Sequence, residues 1–419
     1  HIIMGQVIIV GGGIVGLSSA YYLRQAGWEV TVVDQSDFLN NCSYGNAGYV
    51  CPSHFIPLAS PGIVQQGLRW MLNPQSPFYI QPRLSWPLID WGMKFVKNAT
   101  SQHVSESAIP LRDAALISQR CYEDWVATPG FDFSYEHKGL FEYFLTKEKA
   151  EHGHELVDKA LALGLDTAYL TAQEVQELEP QTRLTIQGAV LFRCDAHLYP
   201  NKLMANLIQW LQGHGVGLRP NETVTGFDKR SNQLVGVRTN VQTYPADLVV
   251  MATGSWSREV AALMDLKLPL MPGRGYSLTL ENSPYRLNYP AILVEGRVAI
   301  TPMDGNKIRF GGTMEITRTG TPPRLNRVIG ILNSVKKFLP DFDIPVPSID
   351  KVWYGYRPCS PDGLPYIGRL RKLPNCIVAT GHAMIGLSLG AGTGKLVSEL
   401  AANAPTSMDL TPFRVERFD

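Results

Sequence analysis

Gln6-Val7-Ile8-Ile9-Val10 runs directly into Gly11-Gly12-Gly13-Ile14-Val15-Gly16, and the unit closes with Glu29-Val30-Thr31-Val32-Val33-Asp34. The first run is short, apolar and β-branched, the pattern of a strand buried on both faces. The residues after Gly16 are rich in Ala, Leu and Tyr up to Gln25, and Gly27 stops them, which predicts a helix. Glu29–Val33 is a second strand ending on a carboxylate. The glycines serve separate purposes. Gly11 makes the tight turn, Gly13 lets a pyrophosphate approach the backbone, and Gly16 lets helix and strand pack closely. The helix start then aims free N–H groups and a positive dipole end at the phosphates. Asp34, with Gln35 beside it, is set to accept hydrogen bonds from ribose hydroxyls. The glycine spacing alone would say little. With strand, helix, strand and terminal carboxylate in register, it predicts a nucleotide-binding βαβ unit.

Beyond this unit, composition narrows the field. Lys and Arg number 38 against 37 Asp and Glu, a net charge of +1, so the broad basic footprint of a nucleic-acid binder is missing. No apolar run is long enough to span a bilayer as a helix. No charged leader precedes Val7–Val10, so a secretory signal is not expected, and the sequence reads as cytoplasmic. His1–Ile3 read as a remnant ahead of a native start at Met4. The six cysteines form no CxxC pair and His152 and His154 point to different helix faces, so free thiols and no metal site are expected.

Residues 42–61 are rich in Gly, Pro, Asn and Ser and read as a loop returning across the nucleotide. Residues 62–98 interleave Trp70, Phe78, Tyr79, Trp86, Trp91 and Phe95 with prolines and with Arg69, Arg83, Lys94 and Lys97. Two readings stand: a cap whose aromatics pack inward, and a patch leaning on a membrane surface, which would make the protein peripheral on the inner membrane. Helices are predicted over 107–127, 147–163 and 201–212, with strands at 139–145, 223–227, 234–239 and 247–251. Residues 263–345 are strand-rich and end in a helix at 325–338. A strand over 375–380 precedes a last helix that runs to about Ala402. The division expected is a nucleotide-binding domain from 1–60, 196–262 and 346–419, and a sheet-rich cap from 61–195 and 263–345, with some helices of 100–170 packing on the first.

In order and spacing, the fingerprint, Ser43-Tyr44-Gly45-Asn46-Ala47-Gly48, Ala252-Thr253-Gly254-Ser255-Trp256-Ser257, Gly273-Arg274-Gly275-Tyr276-Ser277, Gly312-Thr313-Met314-Glu315, Tyr356-Arg357-Pro358 and Gly381-His382-Ala383-Met384-Ile385-Gly386-Leu387-Ser388 span nearly the whole chain. Together they resemble the FAD-dependent D-amino-acid oxidase/dehydrogenase superfamily, and within it the bacterial D-amino-acid dehydrogenases of small-subunit type. The resemblance implies an α/β fold: a Rossmann-like FAD domain of glutathione-reductase type plus a sheet-rich α+β substrate domain. It implies noncovalent FAD held by Gly11, Gly13, Ile14, Val15, Gly16, Asp34, Gln35, Ser43, Asn46, Ala47, Gly48, Val224, Ala252, Thr253, Gly254, Trp256, Gly381, Ile385, Gly386, Leu387 and Ser388. In sarcosine oxidases a cysteine shortly before the Pro-Asp pair tethers the flavin. That place falls on Gly355 here, and Cys359 is out of register.

Oxidising an amine to an imine needs hydride transfer from the α-carbon to flavin N5, so the protein must supply geometry and electrostatics. Arg357 is the first candidate to grip a substrate carboxylate with its planar fork; pairing with a structural carboxylate such as Asp362 is the other reading. Tyr276 either hydrogen-bonds the same carboxylate or packs half-buried. His54 and His382 either tune proton release or bond the backbone. Glycine oxidase carries a tyrosine two residues before a proline in a later strand, and the matching Ile300 or Ala299 has no hydroxyl, which leaves room for a larger side chain or a ring. The expected reaction is oxidation of a D-amino acid or a cyclic imino acid of D-proline or hydroxyproline type, with electrons passed to a quinone or other respiratory acceptor. A glycine/sarcosine-type oxidase using oxygen, an FAD domain acting on modified tRNA, and a flavin subunit of a larger complex are the alternatives. The tRNA role calls for basic clusters and a partner domain that this chain lacks.

Overall fold

The computed structural model describes residues 4–419; the expected remnant at 1–3 lies outside them. The first βαβ unit forms as read, with strands Gln6–Val10 and Glu29–Val33 around the helix Ile14–Gln25. They pair in parallel inside a six-stranded sheet ordered Tyr366–Arg369, Cys376–Thr380, Leu248–Met251, Gln6–Val10, Glu29–Val33, Gly217–Arg219. The alternation of the first strand explains its place. Val7 and Ile9 face a core shared with helices Ile14–Gln25, Pro200–Gly213 and Gly386–Ala401, while Ile8 and Val10 face a three-stranded sheet of Val224–Arg230, Gln233–Thr239 and Thr243–Pro245. All four are buried, each contributing about 1.5–3 kcal/mol.

The second sheet has nine strands. Its main path runs Trp353–Cys359, Met271–Leu280, Ile308–Ile316, Val298–Pro302, Ala291–Leu293, Leu140–Phe144, Gly188–Phe192, Thr167–Thr171, and Phe78–Ile80 pairs beside Ile308–Ile316. Trp353–Cys359, grouped with the nucleotide-binding segments by sequence, is thus an edge strand of this larger sheet, because its backbone pairs antiparallel with 271–277. The strands at 167–171 and 188–192 escaped the sequence reading; each is five residues long and flanked by loops or a seven-residue helix. One face of the sheet is covered by the helix Leu325–Phe338, around Tyr276, Leu278, Phe310 and Val328. The other face looks toward the returning loop and the parallel sheet.

The helix Ser101–Val126 packs on the parallel-sheet side through Ile117, Cys121, Tyr122 and Trp125. Helix 386–401 is clasped between it and helix 14–25 by small residues. A Cβ on Gly390 would meet Ile14 at 2.7 Å, one on Gly392 the Ser118 backbone at 2.8 Å, and one on Gly394 the Ser18 backbone at 2.5 Å. Gly392-Thr393-Gly394 is therefore a packing stripe.

Segment 62–98 packs some of its aromatics inward and leaves others exposed. Helices Ile63–Trp70 and Trp86–Asn98 flank the strand Phe78–Ile80. Trp91 faces inward, stacks on Phe95 at 5.1 Å and donates from Nε1 to the Cys359 carbonyl at 2.8 Å. Trp86, Ile89, Met93 and Val96 recur on the opposite side of the same helix, and Leu84 just before it is 100% exposed. Among the described residues no helix is long and apolar enough to cross a membrane.

Candidate active site

Gly11 sits at φ +109°, and a Cβ there would lie 2.0 Å from the Ala252 carbonyl oxygen, so only glycine lets the first strand's turn abut the Ala252-Thr253 turn. A Cβ on Gly16 would lie 1.8 Å from the Gly11 carbonyl oxygen, the close helix–strand approach the sequence predicts. Gly13 is open by contrast, its nearest neighbour being Ser43 Oγ at 3.6 Å. Helix 14–25 has no side-chain cap and no acid in its first turn. Ser43 Oγ accepts from Ile14 N at 3.0 Å, while Val15 and Gly16 belong to the first turn, whose N–H groups have no intrahelical acceptor. An open glycine beside an uncapped helix start fits a pyrophosphate.

Asp34 closes the second strand, its oxygens accepting from Gly12 N at 2.6 Å, Ser36 N at 2.7 Å and Ser36 Oγ at 2.6 Å. Each oxygen has two acceptor sites, so one remains on Oδ2 for a ribose hydroxyl. Gln35 is exposed next to it. Glu222 N donates to the Asp34 carbonyl at 2.9 Å, which brings the start of the Val224 strand to the same place. Gly254, at φ +55°, has nothing within 4 Å of a built Cβ, and Thr253, Ser257 and Thr380 link their hydroxyls behind it at 2.9 and 2.7 Å. Trp256 meets Tyr356 edge-on at 6.2 Å. Gly381, at φ +77°, turns the chain over Tyr366 toward helix 386–401. That helix also starts uncapped, at Ile385, Gly386 and Leu387. Ser388 Oγ accepts from Cys51 N at 2.9 Å, tying the start of the helix to the returning loop.

The returning loop is bolted to the larger sheet. Arg309 donates to the Tyr44 and Asn46 carbonyls, both at 2.8 Å, and Thr301 Oγ1 to the Ala47 carbonyl at 2.7 Å. Asn46 Oδ1 accepts from Gly48 N at 2.9 Å. Arg309 went unnoticed in the sequence because no motif marks a cation whose partners are carbonyls of a distant loop. Burial without an acid partner brings its pKa down to about 10.

Arg357 stands on the loop-facing side of the sheet. Residues 273, 275 and 277 pair with 357, 355 and 353 and share that face. A Cβ on Gly275 would lie 2.3 Å from Arg357 Nη2, so the guanidinium lies across a glycine floor. Nη1 donates to the Thr313 carbonyl, and among the described residues no carboxylate lies within salt-bridge reach. Burial lowers its pKa. Asp362, the alternative partner, is taken by Arg417 at 2.7 and 2.8 Å. A half-buried cation with donors to spare awaits an anion.

Tyr276 is elsewhere. It alternates onto the opposite face, beneath helix 325–338, where its hydroxyl donates to Glu315 Oε1 at 2.5 Å and accepts from Arg324 N at 2.9 Å. Glu315 also pairs with Arg274 at 3.1 Å and Arg327 at 3.3 Å. The substrate-binding reading of Tyr276 is corrected: strand alternation separates it from Arg357. His382 is likewise turned inward, with Nε2 3.0 Å from Thr393 Oγ1 in the middle of helix 386–401. Burial lowers its pKa to about 4, and it holds the helix entry. His54 stays in the loop with its ring 6.4 Å from that of Tyr49; burial alone brings its pKa to about 4. Gly355, the register of the tether cysteine, lies under Trp353, and Cys359 is buried with Sγ 3.9 Å from Met314 Sδ.

A phosphate-accepting βαβ unit, a second uncapped helix and a free arginine facing them define an FAD-dependent oxidoreductase, and the chain belongs to that family: the model described as FAD dependent oxidoreductase matches residues 6–400. Among curated relatives, the D-amino acid dehydrogenase of Helicobacter pylori is 30% identical over 94% of both chains, and that of Neisseria meningitidis serogroup C 30% over 99% of both. Glycine oxidase from Geobacillus kaustophilus shares the fold, with TM-score 0.76, 24% identity and 99% of each chain covered.

Proposed function

We propose that the protein oxidises a D-amino acid or a cyclic imino acid of proline type and passes the electrons to a quinone or another respiratory carrier. The observation that carries this reading is Arg357, a cation without an acid partner among the described residues, on a glycine floor facing the returning loop. Bound FAD supplies the hydride acceptor. Gly13, Val15, Gly16, Asp34, Gly254 and the start of helix 386–401 would hold it, with Ala252 and Thr253 shaping the turn beside Gly11. The chain's own part is positional. Arg357 fixes the α-carboxylate by two parallel bonds, which aims the α-carbon. N–H groups at Gly386–Ser388 offer a fixed donor set for developing negative charge, Ile385 N already donating to the His382 carbonyl at 3.0 Å. The relatives named D-amino acid dehydrogenase at 30% identity support the D-configuration.

Anaerobic mixing with D- and L-amino acids, sarcosine, glycine and proline derivatives tests this: D-substrates bleach the flavin, and L-enantiomers do not. Air then restores the yellow colour slowly. Rapid reoxidation would favour an oxygen-using oxidase.

The pH profile has a definite expected shape. His54 is neutral above about pH 5, since burial sets its pKa to about 4. Falling pH therefore charges it only below that range, and His54 adds no break to kcat/KM near the usual histidine value of about 6.5. The profile instead rises where the substrate ammonium loses its proton. His54→Asn changes its height and leaves its shape.

The outward stripe of helix 86–98 is read as a peripheral lipid contact, with Lys94 and Lys97 beside it. The triple change Trp86→Ser, Ile89→Ser, Met93→Ser is expected to abolish co-sedimentation with phosphatidylglycerol-containing vesicles and to leave turnover of a water-soluble acceptor intact. Unchanged sedimentation would remove the membrane reading.

A further inference from the structure

Four neighbouring strands of the larger sheet share one irregularity. Glu142 is reachable by solvent although Leu140, Phe141, Tyr143 and Phe144 around it are 0–3% exposed. Ile292 is open between Ala291 and Leu293, Ala299 between Val298 and Ile300, and Gly311 between Phe310 and Gly312. These four residues lie in one register row: Glu142 opposite Ile292, Ile292 opposite Ala299, Ala299 opposite Gly311. Paired residues share a face, so the row is a strip of partly accessible positions crossing the sheet on the loop-facing side. Three strand spacings make it about 14 Å long. The next residues in line close its ends: Val190 is fully buried beyond Glu142, and Ser277 is 4% exposed beyond Gly311.

Arg357 overlooks the Gly311 end, because Gly275 under its fork lies two residues along the strand from Ser277, the partner of Gly311. The far end is the Glu142 carboxylate. Among the described residues it accepts no hydrogen bond and meets no cation; its only charged influence is the nearby Asp195, and burial raises its pKa to about 7. Asp195 is occupied, accepting from Ser53 Oγ at 2.5 Å and Ser53 N at 3.2 Å. An unpaired carboxylate in a buried sheet is costly unless something pairs with it.

We propose that Glu142 is a specificity-determining residue that binds a terminal ammonium or guanidinium of the substrate, so that the preferred substrates are amino acids with long basic side chains. This rests on the oxidative reading above and narrows it. With the carboxylate at Arg357, an extended lysine or arginine side chain, about 7 Å from α-carbon to terminal nitrogen, plus one charge-assisted bond of about 2.8 Å, runs most of the strip. A proline ring or a methyl side chain stops well short. Gly311 and Ala299 give that path a small floor at the Arg357 end, and Ile292 lies along it before Glu142.

The test compares D-lysine, D-arginine, D-norleucine and D-proline on the wild-type holoenzyme and on Glu142→Gln. The wild type should favour the two basic substrates over D-norleucine by about 10-fold or more in kcat/KM. Glu142→Gln should raise KM for the basic pair by about 10- to 100-fold, leave kcat nearly unchanged, and leave both constants for D-norleucine as they were. Flavin absorbance confirms an intact variant. A wild type indifferent to the terminal charge, or a variant that loses all four substrates equally, overturns the proposal, and reduction by D-norleucine would still leave the oxidative reading standing. If no D-amino acid reduces the flavin, it is the oxidative reading that fails.

Discussion

Arg357→Lys is expected to raise KM for D-amino acids by about 10- to 100-fold, and Arg357→Met by more, with bound flavin retained in both. A charge-assisted hydrogen bond contributes about 1.5–3 kcal/mol, and each 1.4 kcal/mol is tenfold. Lysine keeps the charge and can hold one carboxylate oxygen; it cannot reproduce the second parallel bond. The contact is present in ground and transition states alike, so the loss falls on KM more than on kcat. The fold should bear the change well. Among the described residues the only bond the Arg357 side chain makes is to the Thr313 carbonyl, and removing the guanidinium leaves no carboxylate stranded. Steady-state kinetics with the flavin content measured alongside decide it, and wild-type KM values in both variants would take the carboxylate role away from Arg357.

Glu315→Leu should be the most damaging change to stability, by about 3–5 kcal/mol. The carboxylate is 1% exposed and offsets the charges of Arg274 and Arg327, themselves 0% and 2% exposed. It also takes a hydrogen bond from the Tyr276 hydroxyl, and Arg327 reaches on to the Ser76 carbonyl at 3.0 Å, so one acid joins three segments of chain. Leucine would leave two buried guanidiniums facing each other. Urea unfolding of the holoenzyme reads the loss as a lower midpoint. Because the cluster lies on the sheet face away from Arg357, the surviving folded enzyme should keep its KM. A midpoint equal to wild type would show that Glu315 is not what binds the cluster.

The nucleotide-binding half was legible because its signals are local. Strand, glycine turn, helix and carboxylate fall within residues 6–34, and the glycine spacings state their own steric reason. Arg357 could be picked out because it stands before Pro358 in one of the blocks that carry the family resemblance. Tyr276 was misread because sequence does not give the phase of alternation across a bulge: register slips between Arg274 and Tyr276, and only the pairing with 353–359 fixes which side faces the loop. His382 sat at a helix mouth in sequence, and its partner Thr393 is a helical residue that no motif links to it. Glu142 was invisible for a deeper reason. A lone acid in the apolar run Leu140–Phe144 looks like noise until three other strands, from distant parts of the chain, line up beside it.

The order of strands in the parallel sheet bears on how the chain is made. Gln6–Val10 lies between Glu29–Val33 and Leu248–Met251, and the latter completes its pairing only with Cys376–Thr380. During synthesis the opening unit therefore emerges with one apolar edge bare until Leu248–Met251 covers it, and the outer edge of that strand then waits for Cys376–Thr380. Fragments ending before residue 376 should aggregate or recruit chaperones, however sound their first thirty-four residues are, and maturation should follow release from the ribosome rather than accompany translation.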